Sequence, residues 1–183
     1  MQRINALNPA EATGKAKQLL DAVQAKLGMT PNLIKTLAAG PAALEGYLNF
    51  SSALATGHLD AKFREQIALA VAQANSCEYC LSAHTAIGRM VGLKADEIAR
   101  SREAHSSDAK RDAGLQFVQT LVVQRGVVSD LALAQVKAAG FSDGDIAEIV
   151  ANVAINILTN YFNHVARTDV DFPPVAVAME TAA

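Results

Sequence analysis

The sequence predicts an all-α protein, and three observations point to this class. Prolines occur only at positions 9, 31, 41, 173 and 174, so the stretch 42–172 lacks the residue that most reliably breaks helices. Apolar residues recur there every three or four positions, as at Ile67, Val71 and Ala74, and nowhere alternate over a strand's length. The 183 residues, 51% of them apolar, are enough for one core. We therefore expect a single, compact, multi-helix domain over 1–183.

Start and stop signals divide the chain into helices. Asn8-Pro9 combines an N-cap with a first-turn proline, and Gly28 is expected to end this first helix. Thr30-Pro31 and Gly40-Pro41 start two more. The remaining helices are expected to end near Ala55 and then to span about 61–74, 77–92, 95–102, 108–124, 131–139 and 143–167. From Thr168 onward periodicity is weak, which predicts an extended C-terminal arm at about 168–183 that packs on a neighbouring subunit.

Charge and hydropathy patterns exclude several classes of partner. The net charge of −2 comes from 16 basic and 18 acidic residues with no basic run, which argues against nucleic acid. The first residues are not followed by the apolar stretch of a signal peptide. The most apolar helix is interrupted by Glu148, Asn152 and Asn156, which argues against a membrane span. We therefore expect a cytoplasmic protein with no nucleic-acid or membrane partner.

The two cysteines, Cys77 and Cys80, are three residues apart and cannot form the framework of a secreted disulfide scaffold. A close pair in a reducing compartment indicates redox chemistry or a metal. The sequence offers no second ligand pair, so we favour redox chemistry and expect neither a metal nor an organic cofactor. Helix geometry separates their Cα atoms by roughly 5 Å, which lies within the disulfide range.

The position of the pair in its helix bears on thiol reactivity. With Ser76 as N-cap, both cysteines lie in the first turn, where the helix dipole stabilises a thiolate. His84 lies on the same stripe of the helix as the cysteines, one turn beyond Cys80, and can exchange a proton near neutral pH. Helix position favours Cys77 as the thiol with the lower pKa, whereas the histidine stripe favours Cys80.

An acidic residue completes a candidate proton relay. On one unbroken helix Glu65 would lie far from the thiols, but a break at Asn75-Ser76 can fold the two helices into a hairpin. Residue 65 then falls opposite residues 84–87, which suggests a chain from Glu65 to His84 to Cys80, directly or through water.

Other polar candidates are given structural interpretations. Tyr79 points away from the histidine stripe and is expected to pack or to form a pocket wall. His58 and His105 sit beside loop residues and are expected to be exposed. His164 could line a pocket or a subunit contact, and we favour a structural role.

The string from Glu65 to Cys77-Glu78-Tyr79-Cys80-Leu81-Ser82-Ala83-His84 resembles the signature of the alkylhydroperoxidase D (AhpD) family, within the carboxymuconolactone decarboxylase superfamily. Glu, Cys, Cys and His match at all four positions. Residues from Asn163-His164 to Pro173 are similar to peroxidase-related members, so the resemblance covers about 60–174. The chain departs from the best-described branch at Tyr79, where that branch has a second relay histidine.

The resemblance implies an AhpD-like all-helical fold, with the cysteine motif at the N-terminus of a central helix, that assembles as homo-trimers or homo-hexamers. It implies reduction of alkyl hydroperoxides at the expense of a dithiol or thioredoxin-like donor. Cys80 would attack the peroxide, Cys77 would resolve the sulfenic acid, and Glu65 and His84 would relay protons. Decarboxylase members lack the cysteine pair, which disfavours the lactone reaction.

Two alternatives to a peroxidase remain at this point. One is an enzyme of the same fold that acts on another small substrate, with the thiols as a regulatory switch. The other is a non-enzymatic, redox-sensing or stress-linked protein whose disulfide changes an interaction surface.

Overall fold

The computed structural model describes residues 1–177, and nine α-helices make up most of this part of the chain. In chain order they are α1 (Gly14–Leu27), α2 (Asn32–Leu37), α3 (Pro41–Leu54), α4 (Ala61–Ala74), α5 (Glu78–Met90), α6 (Ala95–Arg102), α7 (Ala109–Val123), α8 (Asp130–Ala138) and α9 (Asp143–Ala166). The predicted all-α class is confirmed. The bounds of α3 to α9 lie within two residues of those expected, because prolines, glycines and polar caps mark them.

The first helix begins later than predicted. Asn8 does cap a turn, since its Oδ1 accepts a hydrogen bond from the Ala10 N–H at 3.1 Å. The turn does not continue into a helix, because Thr13 has extended backbone angles and α1 starts after it, at Gly14. Gly28 ends α1 with a φ of 73°, in the left-handed region that glycine adopts readily.

Helix α4 lies at the centre of the molecule. All seven residues from Gln66 to Ala72 are buried, so no face of the helix is exposed to solvent over these two turns. Helices α5, α6, α7 and α9 pack around it. One apolar cluster joins α4 to α7, α8 and α9, and a second joins it to α5 and α6 and includes both cysteines. The cysteine helix is therefore anchored directly on the core.

The described part of the predicted C-terminal arm packs on its own chain, and its contact with a neighbouring subunit stays a prediction. Val175 N–H donates a hydrogen bond to Ser82 Oγ at 3.0 Å, and Arg102 donates one to the Ala176 carbonyl at 2.8 Å. Phe172 and Val175 cover the apolar cluster around the cysteines. Burial of these side chains explains why the segment folds back. The rest of the predicted arm, 178–183, lies outside the described residues.

None of the helices between residues 1 and 177 combines the length and the apolar character that crossing a membrane requires. Even α9, which has 24 residues, carries buried asparagines along one face.

Candidate active site

A tight helix ending produces the hairpin between α4 and α5. Ser76 has a φ of 54°, and its N–H bonds the Gln73 carbonyl while the Cys77 N–H bonds the Ala72 carbonyl. These two bonds form a Schellman motif, which caps α4 and turns the chain. Ser76 is therefore a helix-ending residue and not the N-cap of α5 that we predicted. Because Ser76 is the left-handed residue that ends α4, the next residue, Cys77, becomes the N-cap of α5.

Cys77 is the N-cap residue of α5, and its Sγ accepts a hydrogen bond from the Cys80 N–H at 3.3 Å. The two cysteines form a disulfide with Cα atoms 5.3 Å apart, close to the spacing that helix geometry predicts. Both residues are buried, with exposed fractions of 2% and 3%. The pair therefore sits at the N-terminal end of α5, where the helix dipole favours negative charge on sulfur.

The hairpin brings Glu65 and His84 together, as the sequence predicted. His84 Nδ1 and Glu65 Oε2 are 2.8 Å apart, and the two side chains are 21% and 17% exposed. A carboxylate accepts hydrogen bonds, so Nδ1 carries the hydrogen and Nε2 of the neutral ring can accept a proton. The carboxylate thus fixes the orientation of the imidazole.

A cavity of about 220 Å³ adjoins this pair and is open to solvent. Glu65, His84 and Cys80 all contribute to its wall, whereas Cys77 does not. No direct hydrogen bond joins His84 to Cys80 in the part of the chain that the structure describes. A proton passing between them would therefore travel through a bound substrate or water in the cavity.

Asn163, which the sequence analysis did not include in the site, contacts the sulfur directly. Its Nδ2 donates a hydrogen bond to Cys80 Sγ at 3.3 Å, and its side chain is 5% exposed. An amide donor held against sulfur in a buried site stabilises a thiolate more than a neutral thiol. The arrangement distinguishes Cys80 from Cys77 electrostatically.

The polar face of α9 holds this donor. Its buried polar residues, three or four positions apart, include Asn152, Asn156, Thr159 and Asn163, and all four line the cavity. The sequence contains a signal for this face, because polar residues recur at helical spacing on an otherwise apolar helix. Burial of polar groups is costly, so such a pattern indicates that these side chains have hydrogen-bonding partners or a functional role. Two of these residues, Asn152 and Asn156, are the ones whose polarity argues against a membrane span.

Further contacts from α9 fix the hairpin break. Asn75 Nδ2 donates a hydrogen bond to Asn160 Oδ1 at 3.0 Å, and His164 Nε2 donates one to the Asn75 carbonyl at 2.8 Å. His164 therefore has a structural contact, in line with the interpretation that we favoured.

Tyr79 is a wall of the cavity, and its hydroxyl is fully engaged. It accepts a hydrogen bond from the Leu33 N–H at 3.1 Å and donates one to Asp171 Oδ1 at 2.9 Å. Burial raises the pKa of the Tyr79 hydroxyl far above its ordinary value, and nearby Asp171 raises it further. This phenol cannot replace a relay histidine near neutral pH. The expected packing role fits the contacts.

Burial, with a smaller effect from Glu65, also raises the pKa of Tyr47, which lines the same cavity. His58 and His105 are exposed as predicted and lie beside Asp145 and Asp112, away from the cysteines.

Several solved structures are similar to this chain over nearly its whole length. An uncharacterized peroxidase-related protein from Ralstonia eutropha JMP134, described as an AhpD core, has 26% sequence identity and a TM-score of 0.84, over 93% of this chain and 92% of that one. A peroxidase-related protein from Silicibacter sp. TM1040 has 24% identity and a TM-score of 0.79, over 94% and 92%. A variant of the debrominase Bmp8 in complex with 2,3,4-tribromopyrrole has 18% identity and a TM-score of 0.79, over 93% and 92%.

No curated protein sequence matches the chain. The model of the carboxymuconolactone decarboxylase family matches residues 41–120, which include Glu65, both cysteines and His84. That match agrees with the AhpD-like architecture of the similar structures and with the motif in the sequence. Residues 41–120 therefore resemble the carboxymuconolactone decarboxylase family, and the chain as a whole is similar in fold to AhpD-like proteins.

Proposed function

We propose that this protein is a thiol-dependent peroxidase that reduces organic hydroperoxides through the Cys77–Cys80 dithiol. The observation that carries the proposal is the arrangement around one cavity of a sulfur, an amide donor to that sulfur, and a carboxylate-oriented imidazole. A peroxidase needs a stabilised thiolate and a nearby proton donor for the leaving alkoxide. Cys80, Asn163 and His84 meet these requirements in one place.

In the proposed cycle, the Cys80 thiolate attacks one oxygen of the hydroperoxide. The O–O bond breaks, an alcohol leaves with a proton from the His84 imidazolium, and Cys80 becomes a sulfenic acid. Cys77 then attacks the sulfenic sulfur, water leaves, and the disulfide forms. The Cα separation of 5.3 Å allows this closure without movement of the helix. Glu65 holds the imidazole orientation through both steps.

Turnover of cumene hydroperoxide with dithiothreitol, followed for the wild type and for Cys80→Ser, tests the proposal. We expect the variant to lose turnover. Equal activity in the two proteins would show that the cysteine-nucleophile mechanism is wrong. If the wild type does not turn over but its disulfide still forms with peroxide, a redox-sensing role replaces the enzymatic one.

A second candidate is an enzyme of the same fold that acts on another small substrate. Halogenated aromatics are candidate substrates, because the similar structure of the debrominase Bmp8 is a complex with 2,3,4-tribromopyrrole. The cavity of about 220 Å³ is of a size for a small organic molecule. A direct comparison of cumene hydroperoxide with a polybrominated pyrrole, at equal concentration and with the same dithiol, distinguishes the two substrate classes. Release of bromide at the faster rate would overturn the peroxidase assignment.

We further propose that the protein acts as a homo-oligomer. The outer face of α9 exposes apolar side chains at helical spacing, which include Val150, Leu158, Tyr161 and Val165. Light scattering coupled to size-exclusion chromatography checks this, and a monomer at micromolar concentration would contradict it.

A further inference from the structure

Four side-chain hydroxyl groups line the cavity beside Cys80, and they differ in what they bond. They belong to Tyr47, Ser51, Tyr79 and Thr159. The hydroxyls of Tyr79 and Thr159 are already hydrogen-bonded within the protein. Ser51 is exposed, so water competes for its hydroxyl. Tyr47 is partly buried, and its hydroxyl makes no hydrogen bond within residues 1–177, which leaves it available to a ligand.

The Tyr47 hydroxyl is held near the Glu65–His84 pair. Its ring packs on the apolar cluster that includes Leu44, three residues earlier in α3. The hydroxyl is not among the enclosed polar atoms that lack a partner, so solvent or a ligand can reach it. Burial raises the pKa of Tyr47, and the carboxylate of Glu65 is close enough to raise it further. The group is therefore a neutral hydrogen-bond donor in the neighbourhood of the proposed proton relay.

The proposed reaction with a hydroperoxide creates a need for such a donor. When the Cys80 thiolate breaks the O–O bond, negative charge develops on the departing oxygen. The same cavity contains the carboxylate of Glu65, which disfavours a second negative charge. Donors that are already in place stabilise this charge, because they need no reorganisation during the reaction. His84 supplies one proton, and an alkoxide oxygen can accept further hydrogen bonds.

We propose that Tyr47 is a further catalytic residue, whose hydroxyl donates a hydrogen bond to the oxygen that leaves when the O–O bond breaks. The inference rests on the proposed peroxidase function. Tyr47 keeps its own proton, and the departing alcohol takes its proton from His84, so the atoms and electrons of the cycle are unchanged. The contribution of the hydroxyl is electrostatic and grows with the negative charge on the oxygen.

The dependence on the leaving group separates this role from a structural one. An alkyl hydroperoxide releases an alkoxide, whose charge is confined to one oxygen. Peracetic acid releases acetate, a far weaker base that spreads its charge over two oxygens. Loss of a donor should therefore slow the reaction with the alkyl hydroperoxide much more than the reaction with the peracid. A change in packing should slow both reactions alike.

The test measures how fast the reduced full-length protein forms its disulfide in a single turnover, by acid quenching and alkylation of the remaining thiols. Tyr47→Phe removes the hydroxyl and keeps the ring. We expect it to lower the rate constant with cumene hydroperoxide about 100-fold, as for removal of one donor to a developing oxyanion. The rate constant with peracetic acid should fall by a much smaller factor. Alkylation of Cys80 by iodoacetamide should keep its rate, because iodide needs no such donor.

Two variants serve as controls for the loss of a hydroxyl. Ser52 is exposed on the same helix as Tyr47 and does not line the cavity, so Ser52→Ala should keep both wild-type rate constants. Tyr79→Phe gives the opposite comparison, because its hydroxyl bonds Leu33 and Asp171 within the protein. It should change both rate constants by a similar factor. Thermal unfolding verifies that each variant is folded.

A binding measurement examines the same contact without turnover. The chain has three tyrosines, so labelling of Cζ with carbon-13 gives three NMR signals that single substitutions to Phe assign. The alcohol 2-phenylpropan-2-ol, which cumene hydroperoxide forms on reduction, is added to the oxidised protein. It should shift the signal of Tyr47 and leave that of Tyr161, on the outer face of α9, in place.

Equal slowing with the two oxidants in Tyr47→Phe, or no slowing with cumene hydroperoxide, would overturn the proposal while wild-type turnover stays intact. A Tyr47 signal that does not move when the alcohol is added would also overturn it. A wild-type protein that does not reduce cumene hydroperoxide would instead contradict the proposed function, and with it the catalytic role of Tyr47. A shift of the Tyr47 signal would then still support its hydroxyl as a donor to an oxygen ligand.

Discussion

Cys77 and Cys80 are one turn apart in the same disulfide, yet their surroundings differ. Cys80 receives a hydrogen bond from Asn163 and shares its cavity with the Glu65–His84 pair. Cys77 caps the helix through its own sulfur and lines a different cavity, whose wall also includes Arg3 and Arg167. Identical side chains three residues apart are thus differentiated by contacts from α4 and α9 as well as by their positions in α5. The predictions below test this asymmetry.

The largest effect is expected from exchanging the cysteines one at a time. Cys80→Ser should lower peroxide turnover about 10³-fold or more, because the proposed nucleophile is lost. Cys77→Ser should also stop turnover with a dithiol, but a single stoichiometric reaction with peroxide should survive and leave a sulfenic acid. Trapping with dimedone and mass spectrometry measures this difference. A sulfenic acid on Cys77 in the other variant would reverse the assignment.

A smaller loss is expected from the proton relay. His84→Gln should lower kcat/KM about 100-fold, as for removal of a general acid. Glu65→Gln should lower it about tenfold, because the imidazole remains but loses its charged partner. The double variant should be no worse than His84→Gln alone, since the carboxylate acts through the ring. Steady-state kinetics of the two single variants and the double variant, each compared with the wild type, form a double-mutant cycle. If the two losses of kcat/KM add in the double variant, His84 and Glu65 do not act through a shared pathway.

Asn163→Leu isolates the hydrogen bond to sulfur. Loss of a donor to a thiolate should raise the pKa of the Cys80 thiol by about one to two units, since such bonds contribute about 1.5–3 kcal/mol. The pH dependence of alkylation by iodoacetamide in a Cys77→Ser background measures this.

Thr159→Val is the matched control for that experiment. Thr159 lines the same cavity one turn earlier in α9, and its hydroxyl bonds only backbone carbonyls of its own helix. It should leave the pKa of the thiol unchanged. An equal change in both variants would attribute the effect to general packing.

The smallest effect concerns the turn that carries the pair. Ser76 has a left-handed backbone, which costs a residue with a Cβ about 1 kcal/mol relative to glycine. Ser76→Gly should therefore raise the free energy of unfolding by about 1 kcal/mol and leave the reactivities of the two thiols unchanged. Chemical denaturation of both redox forms checks this, and a lower stability would show that the hydroxyl has a role that the contacts do not reveal.

Much of the fold could be predicted from the sequence, because proline, glycine and capping residues mark helix ends locally. The 3.6-residue period and the turn at Asn75-Ser76 were also enough to pair Glu65 with His84. Asn163 was missed, because its contact with Cys80 joins residues 83 positions apart and depends on how α9 packs. The fold-back of the C-terminal segment was missed for the same reason. Local patterns carry no information about such distant pairings.

Asp171 makes two hydrogen bonds that can form only late in the synthesis of the chain. Its two carboxylate oxygens accept hydrogen bonds from the Tyr79 hydroxyl and from the Asn32 N–H, so one side chain ties together the cysteine helix and α2. Tyr79 and Asp171 are 92 positions apart. During synthesis on the ribosome, the cysteine helix therefore emerges long before the hydrogen bonds of Asp171 can form. The wall of the cavity is completed only after Asp171 itself has left the exit tunnel.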